Sequence, residues 1–173
     1  MLSPTRAGLL ILALATPSLA ACDATGGSGP LTPTPLSLRA DSISLRWWAG
    51  ECLGYCQGTT EIGPTLQGTY TEAPWRPEAT YPPTVESFTI AAVDWQNIQS
   101  VARTALGESW QASYGCPDCG DWGGWDLTIQ TGAGETRTTT LDNRRSQNPP
   151  ALESLLEAVQ ALTPGKPLKP VTE

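Results

Sequence analysis

The chain has 173 residues, with 17 acidic side chains against 10 basic ones for a formal charge of −7, and it contains no histidine. The missing imidazole excludes His-dependent catalytic triads, histidine metal ligands and histidine pH switches. The acidic balance, offset by no Lys/Arg cluster beyond the isolated pair Arg144-Arg145, argues against nucleic acid or an anionic lipid surface as a partner.

The N-terminus carries one positive charge, Arg6, then an apolar stretch Ala7–Ala15, the weak breaker Thr16-Pro17-Ser18 and finally Leu19-Ala20-Ala21-Cys22. This is the tripartite order of an export signal. Its apolar core is about nine residues long, whereas a spanning helix needs roughly 18. A cysteine directly after Leu-Ala-Ala resembles the lipobox of bacterial lipoproteins. The resemblance implies that the Cys22 thiol receives a diacylglyceryl group and that residues 1–21 are then removed. Two or three acyl chains anchor a protein stably where one does not. Asp23 after Cys22 resembles an inner-membrane retention signal of some Gram-negative sorting systems. Without residues 1–21 the chain keeps nine basic and seventeen acidic residues, a formal charge of −8 over a length that suits one domain.

Residues 22–37 are Gly/Ser-rich and then Pro-rich, a tether that stiffens toward a folded domain over 38–163. Polar and apolar residues alternate from Ser42 to Trp47, which predicts a half-buried strand with Trp47 and Trp48 on opposite faces. Thr59–Ile62 and Leu66–Thr71 read as strands joined through Gly63-Pro64, and four prolines make 73–83 a loop. Val85–Ala91 resembles another strand. Asp94 is placed to N-cap a helix whose positions Trp95, Ile98, Val101, Ala102, Ala105 and Leu106 follow a 3.6 period, ending at Gly107. Trp110–Tyr114 reads as a further strand, and Trp125–Gln130 with Thr136–Leu141 as a hairpin. Asn148-Pro149-Pro150 opens a second helix with Leu152, Leu155, Leu156, Val159 and Leu162 on one face. Pro164-Gly165 stops it, and 164–173 is expected to be a disordered tail. The order β-β-β-β-α-β-β-β-α predicts an α+β domain, an antiparallel sheet with two helices packed on one face and stabilised by disulfides.

Beyond Cys22 there are two close cysteine pairs, Cys52/Cys56 and Cys116/Cys119. An even number in an exported chain implies disulfides. Loop entropy favours linking the two motifs across the chain, at roughly 4 kcal/mol against roughly 2 for each local closure. Proximity and the turn formers Gly54 and Pro117 favour local pairs, and the balance tips slightly to these. Three sharper chemistries use the same residues. A four-thiolate zinc site has these spacings, but an oxidising compartment disfavours it. A redox CxxC at Cys116/Cys119 would want a helix after it, and Gly120-Asp121-Trp122-Gly123-Gly124 is a poor one. Calcium would be held by Asp118, Asp121 and Asp126 in a glycine-bearing loop, although the spacing fits no EF-hand.

Seven tryptophans against a single Phe and a single Met point first to indoles filling the core around the cystines. Trp47, Trp75, Trp122 and Trp125 are the candidates for stacking on sugar rings. No nucleophile motif, phosphate loop or catalytic carboxylate pair stands out. The stretch Ile43–Gly68, through Cys52, Gly54 and Cys56, resembles an uncharacterised bacterial family with a Cys-Phe-Gly-Thr-Cys-Pro motif between two strands. That resemblance implies no activity. The expectation is a cofactor-free, lipid-anchored domain facing the extracytoplasmic side of a bacterial membrane. It would bind an envelope protein or glycan rather than nucleic acid or a metal. The alternatives are a thiol–disulfide redox protein and a carbohydrate-binding module.

Overall fold

A computed structural model describes residues 35–50, 52–117, 119 and 123–163. The predicted cleavage site at Cys22, most of the tether, Asp118, Asp121, Trp122 and the tail therefore lie outside the described residues.

A short 3-10 turn at Leu36–Leu38 leads into β1 (Ala40–Trp48). The strands β2 (Gln57–Ile62), β3 (Gln67–Ala73) and β4 (Thr84–Thr89) follow, then helix α1 (Ala92–Leu106), β5 (Gly124–Thr131), β6 (Thr136–Asp142) and helix α2 (Pro150–Gln160). The six strands form one antiparallel sheet in the order β4-β3-β2-β1-β5-β6. The predicted α+β architecture is thus present.

The alternation in β1 sends Ile43 and Leu45 to one face. Register places them beside Ile62 and Thr60 of β2 and Ile129 and Leu127 of β5. This face forms a single core with Leu141, with Ile98, Ala102, Ala105 and Leu106 of α1, and with Leu152, Leu155, Leu156 and Val159 of α2. The periodic helix faces read from sequence are therefore the buried ones, with Trp95, Val101 and Leu162 packed at their margins. Burying a leucine or isoleucine side chain contributes about 1.5–3 kcal/mol, so the row of aliphatic residues is the main source of stability.

Two elements differ from expectation. Asp94 does not cap α1. The helix starts at Ala92, because Ala91 stays extended and its carbonyl accepts the N–H groups of Asp94 and Trp95, leaving Asp94 in the first turn. There its charge still favours the positive end of the helix dipole. Trp110–Tyr114 is not a strand either. Trp110 gives its indole N–H to Ala105 O, the Gln111 N–H goes to the Tyr114 hydroxyl, and Gly115 turns away at φ +66°. One parallel bridge, Ser113 to Thr140, remains and covers the outer edge of β6.

Both cystine-bearing loops and the 74–83 loop gather at one end of the sheet. β1 ends, β2 begins, β3 ends, β4 begins, β5 begins and β6 ends there. Both cystines, Cys52–Cys56 and Cys116–Cys119, belong to loops at this end. The chain enters the domain at the opposite end, where Leu36 packs near Gly132 and the Gly132 N–H bonds Arg39 O.

Candidate binding surface at the cystine end

The four cysteines pair locally, with Cα separations of 5.5 Å for Cys52–Cys56 and 5.3 Å for Cys116–Cys119, both within ordinary cystine geometry. The local alternative weighed in the sequence is therefore the one realised. With their thiols bonded to each other the cysteines form no four-thiolate zinc site. Disulfides persist in oxidising compartments, which places the domain outside the cytoplasm. No helix among the described residues is long and apolar enough to cross a membrane.

The Cys52–Cys56 loop is a rigid projection. Gly54 adopts φ +94°, a conformation that an L side chain rarely takes, and its backbone lies against the Tyr81 ring. Tyr55 meets Tyr81 edge-to-face at 5.8 Å and donates its hydroxyl to Pro82 O. Leu53 stands at the tip, 100% exposed. Tyr81 and Trp75, both exposed, lie on the neighbouring 74–83 loop.

The Cys116–Cys119 loop is tied to the sheet by a carboxylate. Asp142, buried at the end of β6, accepts the Cys116 N–H at 2.6 Å and the Arg144 N–H at 2.7 Å, with the Arg144 guanidinium alongside. Burial pushes the Asp142 carboxyl up. The two backbone donors and the guanidinium outweigh it and hold the group below the usual carboxylate range. Asn148 completes the knot. It accepts the Asp142 N–H and donates to Asp142 O and to Glu153 at the start of α2.

The four tryptophans singled out in sequence separate. Trp125 is 7% exposed and belongs to the core, so it offers no ring face to a sugar. Trp47 packs half-buried against the core and donates its indole N–H to the Tyr70 hydroxyl at 3.0 Å; that hydroxyl in turn donates to buried Glu72 at 2.8 Å. Burial, with the Glu72 charge beside it, raises the Tyr70 phenol well above its ordinary value, so it stays a donor. Trp122 lies outside the described residues. Of the three that are described, Trp75 alone is exposed, at 43%.

Trp75 lies on the face of the sheet opposite the helices. Its indole N–H donates to Ala49 O at 2.8 Å and Gly50 O at 3.2 Å, which fixes the ring, and the Arg46 guanidinium sits 5.8 Å from its centre. From Arg46 a hydrogen-bonded row crosses four strands. Arg46 donates to Gln57 at 2.7 Å and to Asp126 at 3.1 Å, and Asp126 accepts the Thr140 hydroxyl at 2.9 Å. Asp126, weighed in the sequence for a calcium role and set aside, is engaged with Arg46 and Thr140, and Asp118 and Asp121 lie outside the described residues. No group of three or more metal-type ligands occurs among the described residues. Sequence reasoning missed Arg46, Gln57 and Thr140 because only strand register makes them neighbours. Leu53, between two cysteines, carries no sequence signal that separates an exposed tip from a spacer.

Comparison of the chain with models of known protein families and with curated proteins gives no match. The likeness of Ile43–Gly68 to an uncharacterised family draws no support from these comparisons.

Proposed function

We propose that this chain is a lipid-anchored, extracytoplasmic binding domain, without catalytic activity, that holds a component of the bacterial envelope at its cystine end. The observation that carries the reading is the polarity of the domain. The chain enters beside Gly132 at one end of the sheet, while Leu53, Trp75 and Tyr81 are displayed at the other. Nine residues of β1 separate the two ends, about 26 Å at the usual rise per residue. Any attachment made upstream of Pro35 therefore reaches the domain at the end remote from its cystine loops.

Large side chains left in water on one group of loops, Leu53 inside the Cys52–Cys56 closure with Trp75 and Tyr81 on the loop beside it, mark an interaction site more often than a fold requirement. The redox alternative gains little from the geometry. The Cys116 N–H is spent on a buried, ionised Asp142, and a negative charge there disfavours a thiolate. β5 begins at Gly124, leaving too few residues after Cys119 for more than one helical turn.

The anchoring half of the reading is tested by Cys22→Ser with metabolic fatty-acid labelling. The wild-type chain is expected to incorporate label and the variant to accumulate as an unlabelled, unprocessed precursor. Equal incorporation in both would remove the anchor.

A further inference from the structure

The helix-free face of the sheet carries a more specific message about what the domain binds. We infer that Trp75, with the row Gln57–Arg46–Asp126, is a platform for a neutral saccharide. The inference rests on the binding-domain reading above and not on the lipid anchor.

The ring is set for stacking. Its polar N–H is already satisfied by the carbonyls of Ala49 and Gly50, so what Trp75 still shows to solvent is apolar ring surface beside the polar row. The core makes no use of that surface, since Trp75 is not among the residues of the core or packed against it. A pyranose offers the complement, a face of C–H groups edged by hydroxyls, and an aromatic ring takes such a face with little loss of freedom.

The row supplies the hydroxyl partners. Arg46 spends two N–H groups on Gln57 and Asp126, and a guanidinium has five. Each Asp126 oxygen accepts one protein hydrogen bond and keeps a lone pair. Gln57 uses its amide N–H on Pro74 O at 3.3 Å and its oxygen on Arg46. These planar groups hold one another in place, and donors and acceptors sit side by side. Sugar hydroxyls, which donate and accept at once, match that arrangement, and pre-organisation lowers the cost of binding.

Charge and texture choose among ligands. Arg46 and Asp126 neutralise each other, and the chain around them is acidic, so phosphorylated, sulfated or uronic glycans meet repulsion. A protein partner would want an apolar centre to its interface. Register surrounds the row mainly with Ser44, Thr59, Thr71, Thr128 and Thr138, and the apolar side chains on this face, Trp48 beside Gln57 and the exposed Val85 at the β4 edge, flank the row and do not form its centre.

The test uses the purified, oxidised full chain with chitohexaose, cellohexaose and xylohexaose as neutral probes and polygalacturonate as the acidic one, read by calorimetry and tryptophan fluorescence. At least one neutral oligosaccharide is expected to bind, with affinity falling about tenfold or more in Trp75→Ala and in Asp126→Ala, a change of about 1.4 kcal/mol or more. Trp75→Phe is expected to keep part of it, with unfolding midpoints confirming that the variants fold. No binding of the neutral probes, preference for polygalacturonate, or undiminished affinity in a folded Trp75→Ala chain would each overturn the inference. If a photoreactive residue at position 53 still captured an envelope protein from the Trp75→Ala chain, the domain would remain a binding domain and only the saccharide assignment would fall.

Discussion

Asn148 links the backbone of Asp142 to the carboxyl of Glu153, and the environments of the two carboxyls push them in opposite directions. Asp142 is held ionised by the N–H groups of Cys116 and Arg144 and by a guanidinium. Its folded-state pKa is depressed, so its stabilising effect is present above the unfolded value and is lost as pH falls through the folded one. Asp142→Asn is expected to cost about 2–4 kcal/mol at pH 7, because buried donors lose a charged acceptor. That difference should shrink as pH falls below about 4, near the reference value for aspartate. Glu153 carries the reverse sign. Burial raises its pKa more than Asn148 and Arg145 lower it, so its contribution is full below the unfolded value and is lost as pH rises through the folded one. Glu153→Gln should therefore be at least as stable as the parent at pH 7 and indistinguishable from it near pH 4. Urea midpoints measured at both pH values for both variants check the two signs together, and a loss in Glu153→Gln at pH 7 would contradict the second.

At the scale of elements, the Cys116–Cys119 cystine holds the loop before β5 against the end of β6. The double change Cys116→Ser/Cys119→Ser should lower stability by about 2 kcal/mol, the loop-entropy value for so short a closure, and the unmutated chain should show no reductase or isomerase activity. Denaturant curves and an insulin-reduction assay check the two halves, and a Cys116 thiol titrating well below about 8.5 would favour the redox reading instead. Much of this level was legible in the residues. β1, β5 and β6 alternate cleanly because each buries one face, and Leu152, Leu155, Leu156 and Val159 repeat at helical spacing because α2 buries a stripe. Trp110–Tyr114 has the aromatic composition of a strand, but its own side chains capture the hydrogen-bonding groups that a ladder would need. Asp94 looked like a cap because of its residue type, whereas the extended Ala91 sets where the helix begins. The Gln57–Arg46–Asp126–Thr140 row could not be read along the chain. Its members lie on four strands, and a shift of register by one residue would send one of them to the other face.

For the domain as a whole, the decisive feature is that the entry of the chain near Leu36 and the exposed Leu53, Trp75 and Tyr81 lie at opposite ends of one sheet. The two helices close over one face and leave the other largely to polar side chains, with Trp48, Trp75 and Val85 as its apolar members. A rigid cystine loop carries Leu53 into solvent on the side away from where the chain enters. Val93, exposed at the first turn of α1, marks the opposite end. The claim that the domain binds through its cystine end is tested most directly by placing a diazirine amino acid at position 53 or at position 93 in the otherwise unchanged full chain and irradiating intact cells. Position 53 is expected to yield a discrete adduct and position 93 none; adducts from position 93 alone, or equal yields from both, would contradict it.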